Sequence, residues 1–328
     1  MPEKKVVVIT GASSGIGRAT AHEFARRGYM VVAASRNGDA LDRVVEECRR
    51  CGSNALAVTA DVTKEEDVNA LARTAMAQSG RIDVWINNAA VTLFGCFEEV
   101  PTADIRRVVE TNLFGYIYGA RAAIPHFREQ GEGVLVNISS MVALQGQPFT
   151  ATYNATKAAE RALGESLSQE LSDEANIFVC TVLPAVIDTP LLRHGANYTG
   201  RGIIPSKPVH PPSRVAKVIA DIAENPRKEI FIGSPGRWML FARAVAPSRF
   251  YDKMVKRKVE REHFRDTVTD GSPGNLYEFA TDDSVTGGWY EELYSERSGR
   301  RLNIAMLIAG ASLALLSLLI LRKSPQRS

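Results

Sequence analysis

The chain has 328 residues, 45% of them hydrophobic and 23% charged. That length exceeds one ordinary α/β domain of ~250 residues, and that composition excludes a wholly disordered chain. A net charge of +3, without a long Lys/Arg run, offers no electrostatic footing for nucleic acid.

Residues 6–9 are a β-branched apolar run that predicts a first strand, with no secretory leader read ahead of it. Residues 16–27 predict a helix with Ala19, Phe24 and Ala25 among its apolar positions. A strand at 30–34, a helix at 41–50 and a strand at 55–59 follow. Cys48 and Cys51 have redox or metal spacing, but a structural zinc needs four ligands and no second pair exists. Two small residues near a helix end are the simpler reading. Four cysteines without a disulfide framework fit a reducing compartment. Thr63 and Glu66 read as a capping box opening a further helix. Next come a strand at 82–86, a long helix at 103–129, a strand at 134–138 and a helix at 153–171. A strand at 177–183, a helix at 215–223 and a strand at 229–232 complete the series.

This alternation predicts an α/β fold of three layers, a doubly wound parallel sheet of Rossmann type. Its strands are apolar throughout, as expected when helices cover both faces. Residues 1–233 form the predicted catalytic domain, and 184–210, rich in Pro, Gly and polar residues, its substrate-covering loop. Residues 234–302 form an extension of membrane-interfacial character, mixing Trp238 and Phe241 with Lys253, Lys256, Arg257 and Lys258. Within it, 238–246 predicts a helix, 250–264 is strongly basic and 266–288 predicts an irregular loop. Residues 304–321 carry no charge, which predicts a transmembrane helix at 303–321 followed by a basic tail at 322–328. Arg300, Arg301, Arg322 and Lys323 flank this run on both sides, so charge does not orient it.

Ligands of such sheets bind beyond the carboxyl ends of the strands, and the chemistry-bearing residues cluster there. Thr10-Gly11-Ala12-Ser13-Ser14-Gly15-Ile16-Gly17 joins the first strand to the first helix. Gly11 permits a tight turn, and Gly15 and Gly17 allow close approach of a pyrophosphate to the helix N-terminus. The second strand ends in Ser35 and Arg36, with no acidic residue for a ribose hydroxyl. A guanidinium there suits a 2′-phosphate, which predicts NADP(H) as cofactor. Tyr153 and Lys157 share a helix face, where an ammonium stabilises a phenolate and tunes it for proton transfer. Ser140 follows the 134–138 strand and offers a hydroxyl to a carbonyl oxygen as charge develops on it.

With these motifs the chain resembles the short-chain dehydrogenase/reductase family over about residues 5–233. The resemblance rests on Thr10–Gly17, Asp61-Val62, Asn87-Asn88-Ala89, Asn112, Ser140 and Tyr153-Asn-Ala-Thr-Lys157. It implies the same roles for Ser140, Tyr153 and Lys157, with Lys157 also binding the nicotinamide ribose. It further implies that Asn112 holds a water in a proton relay, and that Asp61 contacts the adenine with Val62 packed beside it. Asn87 and Ala89 would line the cofactor groove, and Val186 and Thr189, after Pro184, would approach the nicotinamide amide. A homo-oligomer through the two long helices is also implied. Ala90 and Ala185 stand where the family often has glycine, and a positive φ at either would strain the turn.

Residues expected near the substrate are mostly apolar: Leu93, Phe94, Met141, Val142, Leu144, Phe149, Leu191 and Leu192. They predict a lipophilic ketone, aldehyde or alcohol. The missing leader and the NADP(H) requirement predict a catalytic domain facing the cytoplasm. Two alternatives are a membrane-tethered NADP(H)-binding scaffold or sensor without turnover, and a dehydratase or epimerase on the same fold. The complete set of Ser140, Tyr153 and Lys157 argues for hydride transfer.

Overall fold

The computed structural model describes residues 4–233 and 248–294. The helix predicted at 238–246, the transmembrane run at 303–321 and the basic tail lie outside these residues. No helix among the described residues is long and apolar enough to cross a membrane.

The first half of the chain runs β1 (Val6–Thr10), α1 (Gly15–Arg26), β2 (Met30–Ser35), α2 (Gly38–Arg50), β3 (Ala55–Thr59), α3 (Glu65–Ser79), β4 (Val84–Asn87), β5 (Leu93–Phe94), α4 (Thr102–Val109) and α5 (Gly115–Gln130). The second runs β6 (Gly133–Ile138), α6 (Ala151–Glu170), β7 (Ile177–Pro184), α7 (Leu191–His194), β8 (Ala196–Asn197), β9 (Arg201–Ile203), α8 (Pro212–Glu224), β10 (Glu229–Ile232), α9 (Ser248–Glu262), β11 (Phe264–Val268) and α10 (Trp289–Tyr294). Seven of these strands form one sheet in the order β10-β7-β6-β4-β1-β2-β3, every pair parallel. The predicted fold class is therefore the observed one for the described residues.

The sheet is apolar on both faces because successive side chains of a strand point to opposite sides. Val7 and Ile9 of β1 join a cluster with Phe24 of α1, Leu41 of α2 and Ile219 of α8. Val6 and Val8 join the opposite cluster, with Leu71 of α3, Phe127 of α5 and Trp85 of β4. Each such side chain contributes about 1.5–3 kcal/mol on burial, so strand register is strongly specified. The strand order reverses between β1 and β4, and the crevice above their carboxyl ends is where this architecture binds ligands.

Several local readings change. Thr63 does not cap α3 with Glu66; its N–H and hydroxyl both donate to Asp61 Oδ1, at 3.1 and 2.9 Å. An Asx turn outcompetes the capping box there because the carboxylate lies only two residues away. The long helix predicted at 103–129 is interrupted by a π-helical turn, Glu110–Phe114. Such turns concentrate at functional positions, and this one carries Asn112. Residues 184–210 are not wholly irregular: β8 pairs with β5, and β9 with β11 of the extension. The basic stretch from 250 is helical, as α9. The chain divides into two compact units, Met1–Gly287 and Gly288–Ser328. Residues 248–287 of the extension thus belong to the same compact unit as the sheet.

Candidate active site

The turn after β1 is built around two glycines. Gly11 has φ +64, and a Cβ on it would lie 2.7 Å from Ala89 Cα. A Cβ on Gly17 would lie 2.1 Å from the Gly11 carbonyl oxygen, so a methyl at either position would force the turn and α1 apart. Ser14 is the N-cap of α1 without a side-chain cap bond. Ser13, Ser14, Gly15 and Ile16 line the long cleft at the sheet's switch point, together with Ser35, Arg36, Asp61, Val62 and Ala89. Tyr153, Lys157, Thr189 and Leu191 line its other end.

Some predicted cofactor residues act from behind this surface. Thr10 is buried; its hydroxyl donates to the Ile86 carbonyl at 3.2 Å and accepts from the Asn88 N–H at 3.0 Å. It fastens β1 to the β4 turn. Asn87 is buried as well, and its side chain does not face the cleft. Its Oδ1 accepts from Trp85 Nε1 at 2.9 Å, and its Nδ2 donates to Asn137 Oδ1 at 3.0 Å. Asn88, Ala89 and Ala90 present themselves instead, and Asn88 Nδ2 donates to the Thr10 and Gly11 carbonyls at 2.9 and 3.1 Å. Pro184 is buried at the end of β7, and the Val186 carbonyl accepts from His210 N at 2.9 Å. Neither Ala90 nor Ala185 has the positive φ that would strain its turn: Phe149, φ 65, is the one non-glycine residue with positive φ among the described residues.

At the catalytic end, the Ser140 hydroxyl accepts from the Val142 N–H at 3.4 Å and favours ionisation of the Tyr153 hydroxyl. Lys157 is 2% exposed and Glu160 is fully buried. The Lys157 ammonium donates to the Ile138 carbonyl at 3.0 Å and to Glu160 Oε2 at 3.0 Å, with Oε1 at 2.9 Å. Burial pushes the Glu160 carboxyl up to about 8, although Lys157 pulls it down. Burial and the Glu160 charge push the Tyr153 hydroxyl up, and Ser140 pulls it down. The ammonium expected to act on the phenol is therefore shared with a carboxylate that sequence reasoning overlooked. The signal was present: Glu160 lies three residues after Lys157, on the helix face that Tyr153 and Lys157 share. Asn112 is fully buried. Its Nδ2 donates to the Val91 carbonyl at 3.0 Å and to Thr156 Oγ1 at 3.1 Å, and its Oδ1 accepts from Val91 N at 2.9 Å. It ties the cleft wall to the catalytic helix.

The adenosine end is roofed by a strap that the sequence hid. Arg36 Nη1 donates to the Leu276 and Tyr277 carbonyls, both at 3.1 Å, and Nη2 to those of Asn275 and Glu278 at 2.8 and 3.3 Å. Its terminal fork, expected to be open to a phosphate, is occupied by main chain. Arg107 donates to the Leu276 carbonyl at 2.9 Å and pairs with Asp61 at 3.0 Å. Burial raises the Asp61 carboxyl, but bonds from Thr63 and Arg107 outweigh this and hold it below its usual value. Asp283 pairs with Arg18 at 3.1 Å and Arg43 at 2.7 Å, and the Ser284 carbonyl accepts from the Gly15 N–H at 3.1 Å.

On the substrate side, Met141, Val142, Leu144 and Phe149 are half-buried beyond Ser140. The Phe149 ring meets Phe264 edge-on at 5.2 Å. Leu93 and Phe94 are buried in β5 and do not line the cleft; Leu93 packs with Val91, Val100, Ala196 and Leu276.

A family model described as short chain dehydrogenase matches residues 5–197. The chain belongs to the short-chain dehydrogenase family. An uncharacterized oxidoreductase of Bacillus subtilis (strain 168) is 36% identical over 320 residues, covering 93% of this chain and 88% of its own. An 11-beta-hydroxysteroid dehydrogenase of Arabidopsis thaliana is 38% identical over 202 residues; the match spans 60% of this chain and 56% of that protein. Among solved structures, a 3-ketoacyl-(acyl-carrier-protein) reductase from Brucella melitensis, complexed with NADH, has a TM-score of 0.62 and 31% identity. It covers 70% of this chain and 96% of its own. An alcohol dehydrogenase from Thermococcus sibiricus, complexed with 5-hydroxy-NADP, also has a TM-score of 0.62, with 26% identity, over 71% of this chain and 99% of its own. The chain is thus an oxidoreductase of this family, acting on CH–OH groups with a nicotinamide dinucleotide. The cleft fits that group: a glycine turn at a helix N-terminus stands at one end, and Tyr153 and Lys157 stand at the other.

Proposed function

We propose that this protein is an NADP(H)-dependent oxidoreductase that reduces a lipophilic ketone or aldehyde, or oxidises the matching alcohol. The observation that carries the reading is that Tyr153 and Lys157 line one end of the dinucleotide cleft, with Ser140 on the turn that follows β6. A bound nicotinamide supplies or accepts the hydride. Ser140 donates to the carbonyl oxygen as negative charge grows on it, and Tyr153 gives its proton to that oxygen. Lys157 holds the ribose and offsets the charge left on the phenol. Asn112 keeps the helix carrying Tyr153 in register with the cleft wall and is assigned to the proton relay.

NADP(H) is favoured because no acidic residue ends β2 and the Arg36 charge lines the cleft, although its terminal nitrogens donate to main-chain carbonyls of 275–278. A lipophilic substrate is favoured by Val142, Phe149 and Leu191, the apolar residues left on the substrate side. We further propose that a helix at 303–321 tethers the protein to a membrane, with the catalytic domain facing the cytoplasm, and that it works as a homo-oligomer. The uncharged run itself supports the tether. The test is oxidation of NADPH and of NADH by the full chain in detergent across lipophilic and hydrophilic carbonyls. Stoichiometric NADPH oxidation with a lipophilic carbonyl is expected. Preference for small hydrophilic carbonyls would overturn the substrate class, and preference for NADH the cofactor.

A further inference from the structure

The Lys157–Glu160 pair is almost wholly buried at the end of the cleft and lies beside the group that must move a proton. Lys157 is 2% exposed and Glu160 fully buried. The ammonium also donates to the Ile138 carbonyl and lies 5.6 Å from the Tyr153 ring centroid and 5.3 Å from that of Tyr116. Glu160 Oε1 has no hydrogen-bond donor despite its closeness to the ammonium. A buried carboxylate with a vacant lone pair is a poor structural choice, because an apolar residue of similar volume is often as stable or more so.

The other neighbours leave the local charge balance to these residues. The ionisable groups facing Glu160 are Lys157 and Tyr153 on its own helix and Tyr116 on α5. β6 and the short turn Met141–Leu144 carry no ionisable side chain. Cys180 of β7 packs in the cluster on the other face of the sheet. On α4, Asp104 bonds Tyr198 and Tyr277, Arg107 pairs with Asp61, and Arg106 is exposed; Glu110 of the π turn is exposed too.

We propose that Glu160 is a positioning residue that governs the proton on Tyr153: it offsets the Lys157 charge while Tyr153 is protonated, and takes up a proton when Tyr153 gives one away. The balance is simple. Above the pH at which Glu160 ionises, and with Tyr153 neutral, ammonium and carboxylate sum to zero. Once the phenolic proton has gone to the substrate oxygen, phenolate, ammonium and carboxylate sum to minus one in a buried site. A proton arriving from solvent on Glu160 restores zero and leaves the ammonium to stabilise the phenolate alone. The elevated affinity of the buried carboxyl for a proton agrees with this.

The proposal rests on the reading of Tyr153 as proton donor, and its test does not depend on turnover. Phenolate absorbance is titrated in the full-length protein, in Glu160→Gln and in Glu160→Asp, each with Tyr153→Phe as the blank. Removing the carboxylate charge moves Tyr153 ionisation to lower pH by at least one unit, a tenfold change in phenolate fraction. Glu160→Asp, which keeps the charge, stays close to the wild type. Where a substrate is turned over, the acid limb of kcat/KM for alcohol oxidation moves with the titration. A merely structural glutamate would lower activity at every pH and leave the limb in place. A phenolate titration identical in wild type and Glu160→Gln overturns the proposal; a shifted titration without turnover on any carbonyl retires the reductase reading alone. If Glu160→Gln does not fold, infrared spectra of the wild type against Glu160→Asp decide. A buried protonated-carboxyl band that vanishes with rising pH and changes frequency in the aspartate variant supports the proposal, and its absence throughout overturns it.

Discussion

The two ends of the cofactor cleft are built by opposite means. At the catalytic end, Ser140, Tyr153, Lys157 and Glu160 come from α6 and the turn between β6 and α6. Side chains do the work, they lie close in sequence, and rigid elements fix them. At the adenosine end, Arg36 from β2 and Arg18 from α1 are held by residues 275–284, more than two hundred positions away. There the partners are mostly main-chain carbonyls on a strap outside the span matched by the family model. The difference teaches that one end of a cleft can be built from neighbours in sequence while the other is assembled from distant parts of the chain.

The comparison makes separable claims, and the largest effect should come from the catalytic end. Tyr153→Phe is expected to lower turnover by at least ~10²-fold, the scale of a positioned general acid, and to leave NADPH affinity unchanged in a fluorescence titration. Loss of cofactor binding in that variant would merge the two ends. Next is Arg36→Ala, expected to raise KM for NADPH ~10-fold or more while that for NADH rises less, since a hydrogen bond to a charged group contributes ~1.5–3 kcal/mol. Equal loss for both cofactors would make Arg36 an anchor for the strap alone.

A third expectation concerns stability. Burial raises the Glu160 carboxyl from 4.5 to about 8, so the folded chain binds an extra proton between those values. That stabilisation is fully present below about 4.5 and is lost as pH rises through about 8. The melting temperature of the wild type should therefore fall relative to that of Glu160→Gln across this window, and parallel curves would contradict a proton on Glu160. The smallest effect is expected from Asp283→Asn at the strap. Its ion pairs are partly exposed and contribute ~0.2–1 kcal/mol each, so limited proteolysis within 275–284 should quicken a few-fold with kcat at saturating cofactor unchanged.

Much of the catalytic end was legible in the residues because its cues are short-range. Apolar runs located the seven strands of the main sheet, and the spacing of Tyr153 and Lys157 located one helix face. Glu160 escaped because a glutamate on a helix is ordinarily solvated, and only packing against β6 and Tyr116 makes it an interior charge. Asn87 and Leu93 were placed at the surface of the site, yet both lie a layer deeper, since a motif gives the order of residues and not the direction in which each side chain turns. The strap was illegible for a different reason. Residues 266–288 have no hydrophobic period, and their bonds to Arg36 use groups that every residue carries. The break at Glu110–Phe114 has no composition cue either.

The cage around Arg36 has one further consequence. Four carbonyl oxygens hold the guanidinium, and substitution of a side chain does not remove a carbonyl. What must persist is the route of the chain, and that route is pinned by Leu276 in its apolar cluster and by Tyr277 on Asp104. In descendants of this gene, Asn275 and Glu278 are therefore free to drift as far as the cage is concerned. The inherited memory of this half of the site resides in two anchors that never touch Arg36 with their side chains.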